Sequence, residues 1–484
     1  MRGFRFLNNF PKRCYAAARR SEALTEPPAG WKPSTATPLP SQNVQVMDCP
    51  TTMVLISSDY RESWLSISEK VSKLPNGLVI ASLENYSPLS SVGVFVKAGS
   101  RYETPDNQGV SHVLRLAANL TTKGASAFKI CRGVEALGGS LSVTSSRETM
   151  VYAADCLRDH LESLLEFLVN IITAQEFRLW ELNELTSRVR TDKALAQQCP
   201  QIGIIEKLHE AAYKTALSNS LYCPDYMVGH ISPKQLQSFV QDNFTAGRMA
   251  LIGLGVTHSV LRQLGEGFLS VCSGAGAPVV KSVYRGCEIR VQNNDDLVHT
   301  LIASEGGVAG SAEASAFTVL QRVLGAGPHV KRGSNITSKL TQGIAKATTQ
   351  PFDATAFNAS YSDSGLFGIY TIAQADTARE VIKAAIAQVK SVAEGNVSEA
   401  DITRAKNQVK AEYLMSIETS EGLLEEIGAQ ALTTTAYQLP ETVLQTIENI
   451  TQDDLVKAAK IFVDGKKTMV ASGPLVNTPF VDEV

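Results

Sequence analysis

The chain has 484 residues, of which 44% are apolar and 19% charged, and its formal net charge is −3. This length exceeds what one hydrophobic core supports, so we expect more than one domain. The charge balance argues against nucleic-acid binding, and no apolar run approaches the roughly 18 residues of a membrane-spanning helix. Eight cysteines without CxxC spacing argue against a zinc ribbon or a disulfide framework and predict reduced, mostly buried thiols.

The N-terminus is basic and free of acidic residues up to Glu22. Residues 1–21 carry six arginines and lysines with phenylalanine and leucine between them. This composition is typical of a mitochondrial presequence, and the missing apolar core argues against a secretory signal. We expect residues 1–15 to be the presequence, with cleavage after Tyr15; a disordered basic arm is the alternative. The proline-containing stretch that follows, 16–69, is predicted to be extended or disordered.

The first half of the folded region begins with a hairpin signal, because Asn-Gly lies between apolar segments in Leu74–Gly77. Hydrophobic spacing then predicts alternating strands and helices. In chain order, these elements are strands at 78–83 and 92–96, a helix at 109–120, a strand at 141–154 and an amphipathic helix at 156–173.

The second half repeats this order of elements. Its predicted elements are a strand at 298–304, a helix at 312–324, paired strands within 352–373 with a Ser-Asp-Ser-Gly turn at 362–365, and helices ending near 393 and 417. A capping box of Thr377 and Glu380 is expected to begin the first of these last two helices, and Ser398 to cap the second.

The clearest sign of duplication is shared by Ile231–Gly253 and Ile450–Gly473. In both segments a Ser or Thr cap precedes a short helix, an aromatic residue closes it, and a strand follows. The sequence therefore predicts two duplicated α+β domains, each an antiparallel-rich sheet with helices packed on it. We place them at 70–273 and 284–484, joined by a linker at 274–283.

One segment of the first half resembles a metallopeptidase motif. Gly99-Ser-Arg-Tyr-Glu103 followed by Gly109–Leu116 is similar to the "GSRYE…GxxHFLEH" segment of the pitrilysin-type, or inverzincin, superfamily. There an H-x-x-E-H motif on a helix supplies two zinc-binding histidines and a glutamate that polarises water, and a downstream acidic residue completes the ligands. The corresponding positions here are His112, Arg115 and Leu116, with the distal ligand near Asp192 or Lys193.

These positions predict that the zinc site has been lost. Arg115 accepts no proton at neutral pH and its charge repels Zn²⁺, while Leu116 has no lone pair. None of the other histidines pairs with a second one at helical spacing, and there is no GxSxG or phosphate-loop motif. We therefore expect no catalytic residue, no metal and no cofactor.

The resemblance spans residues 70–484 and is closest to the core subunits of mitochondrial respiratory complex III, the ubiquinol–cytochrome c reductase. The segments that carry it are Leu74–Tyr86, Leu120–Ala125, Leu221–Tyr226, Val323–Ser334, Phe357–Tyr370 and Thr478–Val484. It implies two domains that face each other as a clamshell and a non-catalytic scaffold on the matrix side of the inner membrane. It also implies core subunit 1 and cytochrome b as partners in a dimeric complex, with no nucleic acid and no membrane span.

Two other functions remain open at this point. A peptide-binding alpha subunit of a processing peptidase also lacks the zinc motif, so the ligand positions do not separate it from a complex III subunit. An active metallopeptidase would require about one zinc ion per chain. In the family, a glycine-rich loop contacts peptides; its counterpart is Gly325–Ser334, where His329, Lys331 and Arg332 suit an acidic partner. A simple turn between helix and strand is the alternative there.

Overall fold

The computed structural model of the protein describes residues 69–268, 276, 279–325, 338–434 and 437–483. Several predictions concern residues outside these ranges. They are the presequence 1–15 with its cleavage after Tyr15, the extended segment up to residue 68, much of the linker, and the glycine-rich loop beyond Gly325.

The first half contains six strands and seven α-helices among its described residues. The strands are β1 (Glu69–Lys73), β2 (Val79–Leu83), β3 (Leu89–Val96), β4 (Ser140–Ser145), β5 (Met150–Leu157) and β6 (Met249–Leu254). The helices are α1 (Val110–Leu116), α2 (Ala127–Ala136), α3 (Leu161–Thr173), α4 (Leu179–Gln197), α5 (Pro200–Ala212), α6 (Pro233–Asn243) and α7 (His258–Phe268).

The second half contains five strands and seven α-helices within the described ranges. The strands are β7 (Glu288–Gln292), β8 (Leu297–Glu305), β9 (Asp353–Ser360), β10 (Gly365–Gln374) and β11 (Thr468–Gly473). The helices are α8 (Ala312–Leu324), α9 (Lys339–Ala347), α10 (Ala378–Ala393), α11 (Glu399–Glu418), α12 (Ser420–Thr434), α13 (Pro440–Glu448) and α14 (Gln452–Asp464).

The two halves share one sheet topology. The first sheet has the order β1-β2-β6-β3-β5-β4, and the second has the order β7-β11-β8-β10-β9. Without the additional edge strand β1, the orders match strand for strand. In each sheet one pair is parallel, β2 with β6 and β7 with β11, and the remaining pairs are antiparallel. The predicted α+β fold with a duplicated, antiparallel-rich sheet is confirmed.

The local signals that predicted the duplication have the expected structure. Ser232 and Thr451 each accept a hydrogen bond from the backbone three residues later, in complete capping boxes that begin α6 and α14. Each helix then leads into a buried central strand, β6 or β11. The Asn-Gly signal is also confirmed, because β1 and β2 form an antiparallel pair around Gly77, whose φ of 95° favours glycine.

Several predicted boundaries are wrong. The single strand at 141–154 is instead a hairpin of β4 and β5, closed by a hydrogen bond from Ser146 N to Thr149 O. Cys156 and Leu157 belong to β5, so the helix predicted from residue 156 begins only at Leu161. The helix predicted at 109–120 ends at Leu116. Ser398 caps α11 as predicted, but Thr377 begins α10 without a side-chain cap, so that capping box is absent.

Each sheet is covered on one face by a helix from the other half. Helix α12 of the second half packs on β2, β3 and β6, and helix α5 of the first half packs on β7, β8 and β11. The first of these contacts depends on glycine, because a Cβ atom on Gly428 would lie 2.4 Å from the Phe95 ring. None of the described helices is both long and apolar enough to cross a bilayer.

Candidate functional site

Helix α1 carries the three motif positions, and a buried carboxylate fixes where it begins. Glu103 accepts hydrogen bonds from the backbone N–H groups of Gly109 and Ser111, both at 2.8 Å, and from the Ser111 hydroxyl at 2.6 Å. A carboxylate at a helix N-terminus satisfies N–H groups that have no partner within the helix. Burial outweighs these bonds in its effect on protonation and raises the pKa of Glu103 to about 7.

Both ring nitrogens of His112 have protein partners. His112 Nδ1 accepts a hydrogen bond from Cys223 N at 3.2 Å, and His112 Nε2 lies 2.8 Å from Asp192 Oδ2. Because Nδ1 is the acceptor, the proton is assigned to Nε2, which donates to Asp192. The His112 side chain is fully buried, and the Tyr222 ring packs edge-on against it at 5.5 Å.

Arg115 provides the second hydrogen bond to Asp192, with Nη2 2.5 Å from the same Oδ2 atom. The hydrogen bond from His112 and the charge of Arg115 outweigh partial burial and hold the pKa of Asp192 below its usual value. Of the two sequence-predicted distal positions, the structure brings Asp192 to His112. Lys193 instead forms an ion pair with Asp225, 2.6 Å away.

This arrangement does not fit a metal ion. Leu116 packs against the core of the first half, Arg115 supplies a fixed positive charge, and the lone pair on His112 Nδ1 is used by Cys223 N. Catalytic zinc typically requires about three protein ligands and an open position. No group of three or more His, Cys, Asp or Glu residues in the described part of the chain is arranged to hold a metal.

The other described histidines that make hydrogen bonds have structural partners. His209 is buried, with Nδ1 2.8 Å from Ile205 O and Nε2 2.6 Å from the Tyr361 hydroxyl. His299 Nδ1 lies 2.6 Å from the Tyr370 hydroxyl, and His258 lies between two serine hydroxyls, of which Ser82 is 2.8 Å away. In each of these contacts the partner of the histidine is a hydroxyl group or a backbone carbonyl.

A second polar cluster joins the two halves at the β9–β10 turn, Tyr361–Ser364. Each of its four residues contacts a first-half side chain. The pairs are Tyr361 with His209 at 2.6 Å, Ser362 with Glu148 at 2.6 Å, Asp363 with Arg101 at 2.8 Å, and Ser364 with Tyr213 at 3.1 Å. The Ser-Asp-Ser-Gly turn predicted from sequence is therefore also a contact between the halves.

Arg101 is the centre of this cluster, and its side chain is only 2% exposed. Its guanidinium donates to Glu148 at 2.5 Å, to Ser362 at 2.9 Å, to Asp363 through both nitrogens, and to Val280 O at 3.1 Å. Burial raises the pKa of Asp363, but the hydrogen bonds of Arg101 and Ser282 outweigh it and hold that pKa below its usual value. Arg101 lies in the Gly-Ser-Arg-Tyr-Glu segment, yet its contact with the second half has no signal in the sequence.

Two protein-family models match the chain, in successive segments. A family model described as "Insulinase (Peptidase family M16)" matches residues 79–225. A second, described as "Peptidase M16 inactive domain", matches residues 230–409.

The chain belongs to the M16 peptidase family.

Curated relatives within this family fall into two groups of similarity. "Cytochrome b-c1 complex subunit 2, mitochondrial" of Homo sapiens is 60% identical over 85% of this chain and 91% of that protein. The Mus musculus protein of the same name is 61% identical over the same shares. A "Probable mitochondrial-processing peptidase subunit alpha-2, chloroplastic/mitochondrial" of Arabidopsis thaliana is 32% identical over 86% of this chain and 84% of that protein.

The chain is a non-catalytic member of the M16 family. Its relatives at about 60% identity carry the name of a cytochrome b-c1 complex subunit, whereas the processing-peptidase subunits are far less similar. The helix that matches the zinc motif supplies one histidine, one arginine and one leucine at the motif positions. Two residues that contact His112, namely Tyr222 and Cys223, come from a loop 110 or more residues further along the chain. Sequence spacing could not have identified those two.

Proposed function

We propose that this chain is a non-catalytic core subunit of mitochondrial respiratory complex III, equivalent to core subunit 2. The observation that carries the proposal is 60% identity over 85% of the chain to a protein named as a subunit of the cytochrome b-c1 complex. In this function it supports assembly and stability of the reductase that transfers electrons from ubiquinol to cytochrome c, and it has no redox centre of its own.

Its partners would be core subunit 1, cytochrome b and further subunits of a dimeric complex. The chain would attach peripherally on the matrix side of the inner membrane, after removal of residues 1–15. The folded region would consist of domains at 70–273 and 284–484 with the linker 274–283 between them. The matching strand orders of the two sheets support this division.

We also propose that Arg115 takes the electrostatic role that a metal ion has in the active peptidases. Asp192 would otherwise be a carboxylate, one-third exposed, beside a neutral histidine. The Arg115 guanidinium lies 2.5 Å from it and supplies a permanent cation. The site then holds α1 against α4 and has no group that activates water, so His112, Arg115 and Leu116 are structural residues.

The alternative is a non-catalytic alpha subunit of a processing peptidase. The 32% identity to such a subunit over most of the chain is the observation in its favour. The much higher identity to the cytochrome b-c1 subunits favours the first function, and the altered motif is compatible with both.

Native gel electrophoresis of detergent-solubilised mitochondria, with this chain detected by mass spectrometry, tests the proposal. We expect the chain to migrate with cytochrome b and the iron–sulfur subunit in one large complex. Migration as a soluble pair with a zinc peptidase would contradict the complex III function and support the alternative.

A further inference from the structure

Four apolar residues lie exposed together at one end of the first sheet. Tyr86 is 79% exposed, Leu89 is 59% exposed and Leu157 is 49% exposed, and Pro88 is exposed between them. Leu89 and Leu157 are directly opposed in the β3–β5 register, so their side chains lie side by side on the same face of the sheet. We call these four residues the Tyr86 patch.

Tyr86 has a backbone conformation that non-glycine residues rarely adopt. Its φ is 52°, in the left-handed region, where a side chain costs conformational free energy. Phe177 has a similar φ of 51° but is only 4% exposed, so burial of its ring offsets the strain. Among the described residues Tyr86 has no such compensation, because its side chain is 79% exposed.

A buried carboxylate holds Tyr86 in this conformation. Glu84 Oε1 accepts a hydrogen bond from Tyr86 N at 2.9 Å. The same carboxylate is fixed by Arg158, whose Nη1 and Nη2 donate to it at 2.9 and 2.7 Å. Arg158 N also donates to Pro88 O at 3.0 Å. The strained backbone of this loop is therefore tied to the end of β5.

The two chain segments that carry the patch have more acidic than basic residues. Glu84 and Arg158 neutralise each other, and the pKa of Arg158 is raised first by its hydrogen bonds to Glu84 and also by nearby Tyr86 and Asp159. Asp159 directly follows Arg158 in the chain, two residues after Leu157. It is exposed, as are Asp155 at the end of β5 and Glu162 at the start of α3. No lysine or arginine other than Arg158 occurs in the segments that carry the patch, 84–91 and 155–162.

We propose that the Tyr86 patch is a docking surface for another protein chain, one that offers an apolar pocket bordered by lysine or arginine side chains. Tyrosine side chains are frequent energetic centres of protein interfaces, because they offer a large contact area and few rotatable bonds are fixed when the ring is buried. The acidic border of Asp155, Asp159 and Glu162 selects a basic partner. The inference rests on the proposed function in one respect, since the partner is sought among the subunits of the complex.

Photocrosslinking in the assembled complex identifies the occupant. The full chain carrying p-benzoylphenylalanine at position 86 is expressed in cells that lack the natural subunit, and the complex is isolated by native electrophoresis before irradiation. We expect a crosslink to one segment of another subunit that contains apolar and basic residues. A crosslink only to lipid, to a second copy of this chain or to an acid-rich segment would overturn the proposal, as would no crosslink.

The same gel separates the two proposals. If the chain migrates outside the large complex, the complex III function fails. If it migrates within the complex but position 86 gives no crosslink, the function stands and only the docking surface fails.

Matched substitutions measure the energetic contribution of the patch. Tyr86→Ala removes the ring, and Phe128→Ala removes a similarly exposed aromatic side chain (73%) on α2. We expect Tyr86→Ala and Asp159→Lys to speed dissociation of the chain from the complex about tenfold or more, while Phe128→Ala changes it less than threefold. Equal effects of Tyr86→Ala and Phe128→Ala would contradict a specific docking residue.

A third variant distinguishes docking from folding. Tyr86→Gly relieves the backbone strain, so the thermal midpoint of the isolated full chain should stay the same or rise. Its association with the complex should nevertheless weaken as in Tyr86→Ala. Retained association in Tyr86→Gly would show that the tyrosine ring has no part in docking.

Discussion

Replacing Arg101 by methionine should destabilise the protein by disrupting the contact between its halves. The change leaves two carboxylates without their cation, Asp363 with a side chain 18% exposed and Glu148 with a side chain 14% exposed. Removing one partner of a buried ion pair costs about 3–5 kcal/mol. Asp363 retains the bond from Ser282 N, and Glu148 retains the bonds from Ser362, so we expect a loss of about 3 kcal/mol at pH 7.

The pH dependence of this loss has a definite sign. In the native protein the pKa of Asp363 lies below its unfolded value, so its ionised form stabilises the fold above about pH 4 and this contribution is lost as the pH falls below that value. Without Arg101, burial dominates and raises the pKa of Asp363. The carboxyl group of the variant then becomes neutral at a higher pH, and the difference between variant and native protein should be smaller at pH 5 than at pH 7.

Urea unfolding of the purified full chain, followed by far-UV circular dichroism at both pH values, measures the effect. The matched control is Arg262→Met, which breaks an exposed ion pair with Glu266 (side chains 56% and 51% exposed) and should cost less than about 0.5 kcal/mol. A loss below about 1 kcal/mol for Arg101→Met at pH 7 would refute the assignment of Arg101 as a buried inter-half contact.

Three further predictions concern the zinc motif, a helix contact and a buried histidine. The double variant Arg115→Glu/Leu116→His should bind about one zinc ion per chain by mass-spectrometric metal analysis, and adding Asp192→Asn should abolish zinc binding. An absence of zinc in the double variant would show that His112 and Asp192 are not placed as zinc ligands. Gly428→Ala should lower the free energy of unfolding by about 1–3 kcal/mol, because the new Cβ meets the Phe95 ring. Gly203→Ala, with open space around its Cβ, should raise the free energy of unfolding by up to about 1 kcal/mol. Equal urea midpoints for the two variants would refute this reasoning. Burial first, and then the charge of Arg147, lower the pKa of His209 well below 6.5. The neutral form therefore stabilises the fold above about pH 6.5, and the free energy of unfolding falls by about 1.4 kcal/mol per pH unit below that pH. His209→Gln should remove this slope in urea titrations between pH 6.5 and 5, and an unchanged slope would exclude His209 as its source.

Local chemistry predicted much of the fold. The caps at Ser232, Thr451 and Ser398 and the Asn-Gly turn at Gly77 are determined by residues a few positions apart, and the structure confirms them. The same approach failed at Leu157, because leucine spacing continued from α3 into a strand whose exposed end carries an apolar side chain. Hydrophobic periodicity detects a row of apolar residues, but it does not show whether these residues pack within a helix or lie exposed at the end of a strand.

The altered zinc motif could be recognised from the sequence residue by residue, whereas the residues that contact it in the folded structure could not. The identities of Arg115 and Leu116 suffice to predict loss of the zinc ligands. The hydrogen bond from Cys223 N to His112 and the bonds from Arg101 to the β9–β10 turn join residues more than 100 positions apart. Such contacts depend on tertiary packing, for which a single sequence carries no periodic signal.

Helices α5 and α12, each of which packs on the sheet of the other half, determine how the chain can reach its folded state. Without α12, the face of the first sheet around Phe95 would be exposed to water, and α12 follows that strand by more than 300 residues. A ribosome therefore completes the first half long before the helix that covers it is made, and the uncovered sheet face is a site for chaperone binding or aggregation during that interval. The same exchange makes the duplication hard to undo, because neither repeat could separate into an independent protein without first acquiring a substitute for the helix supplied by the other.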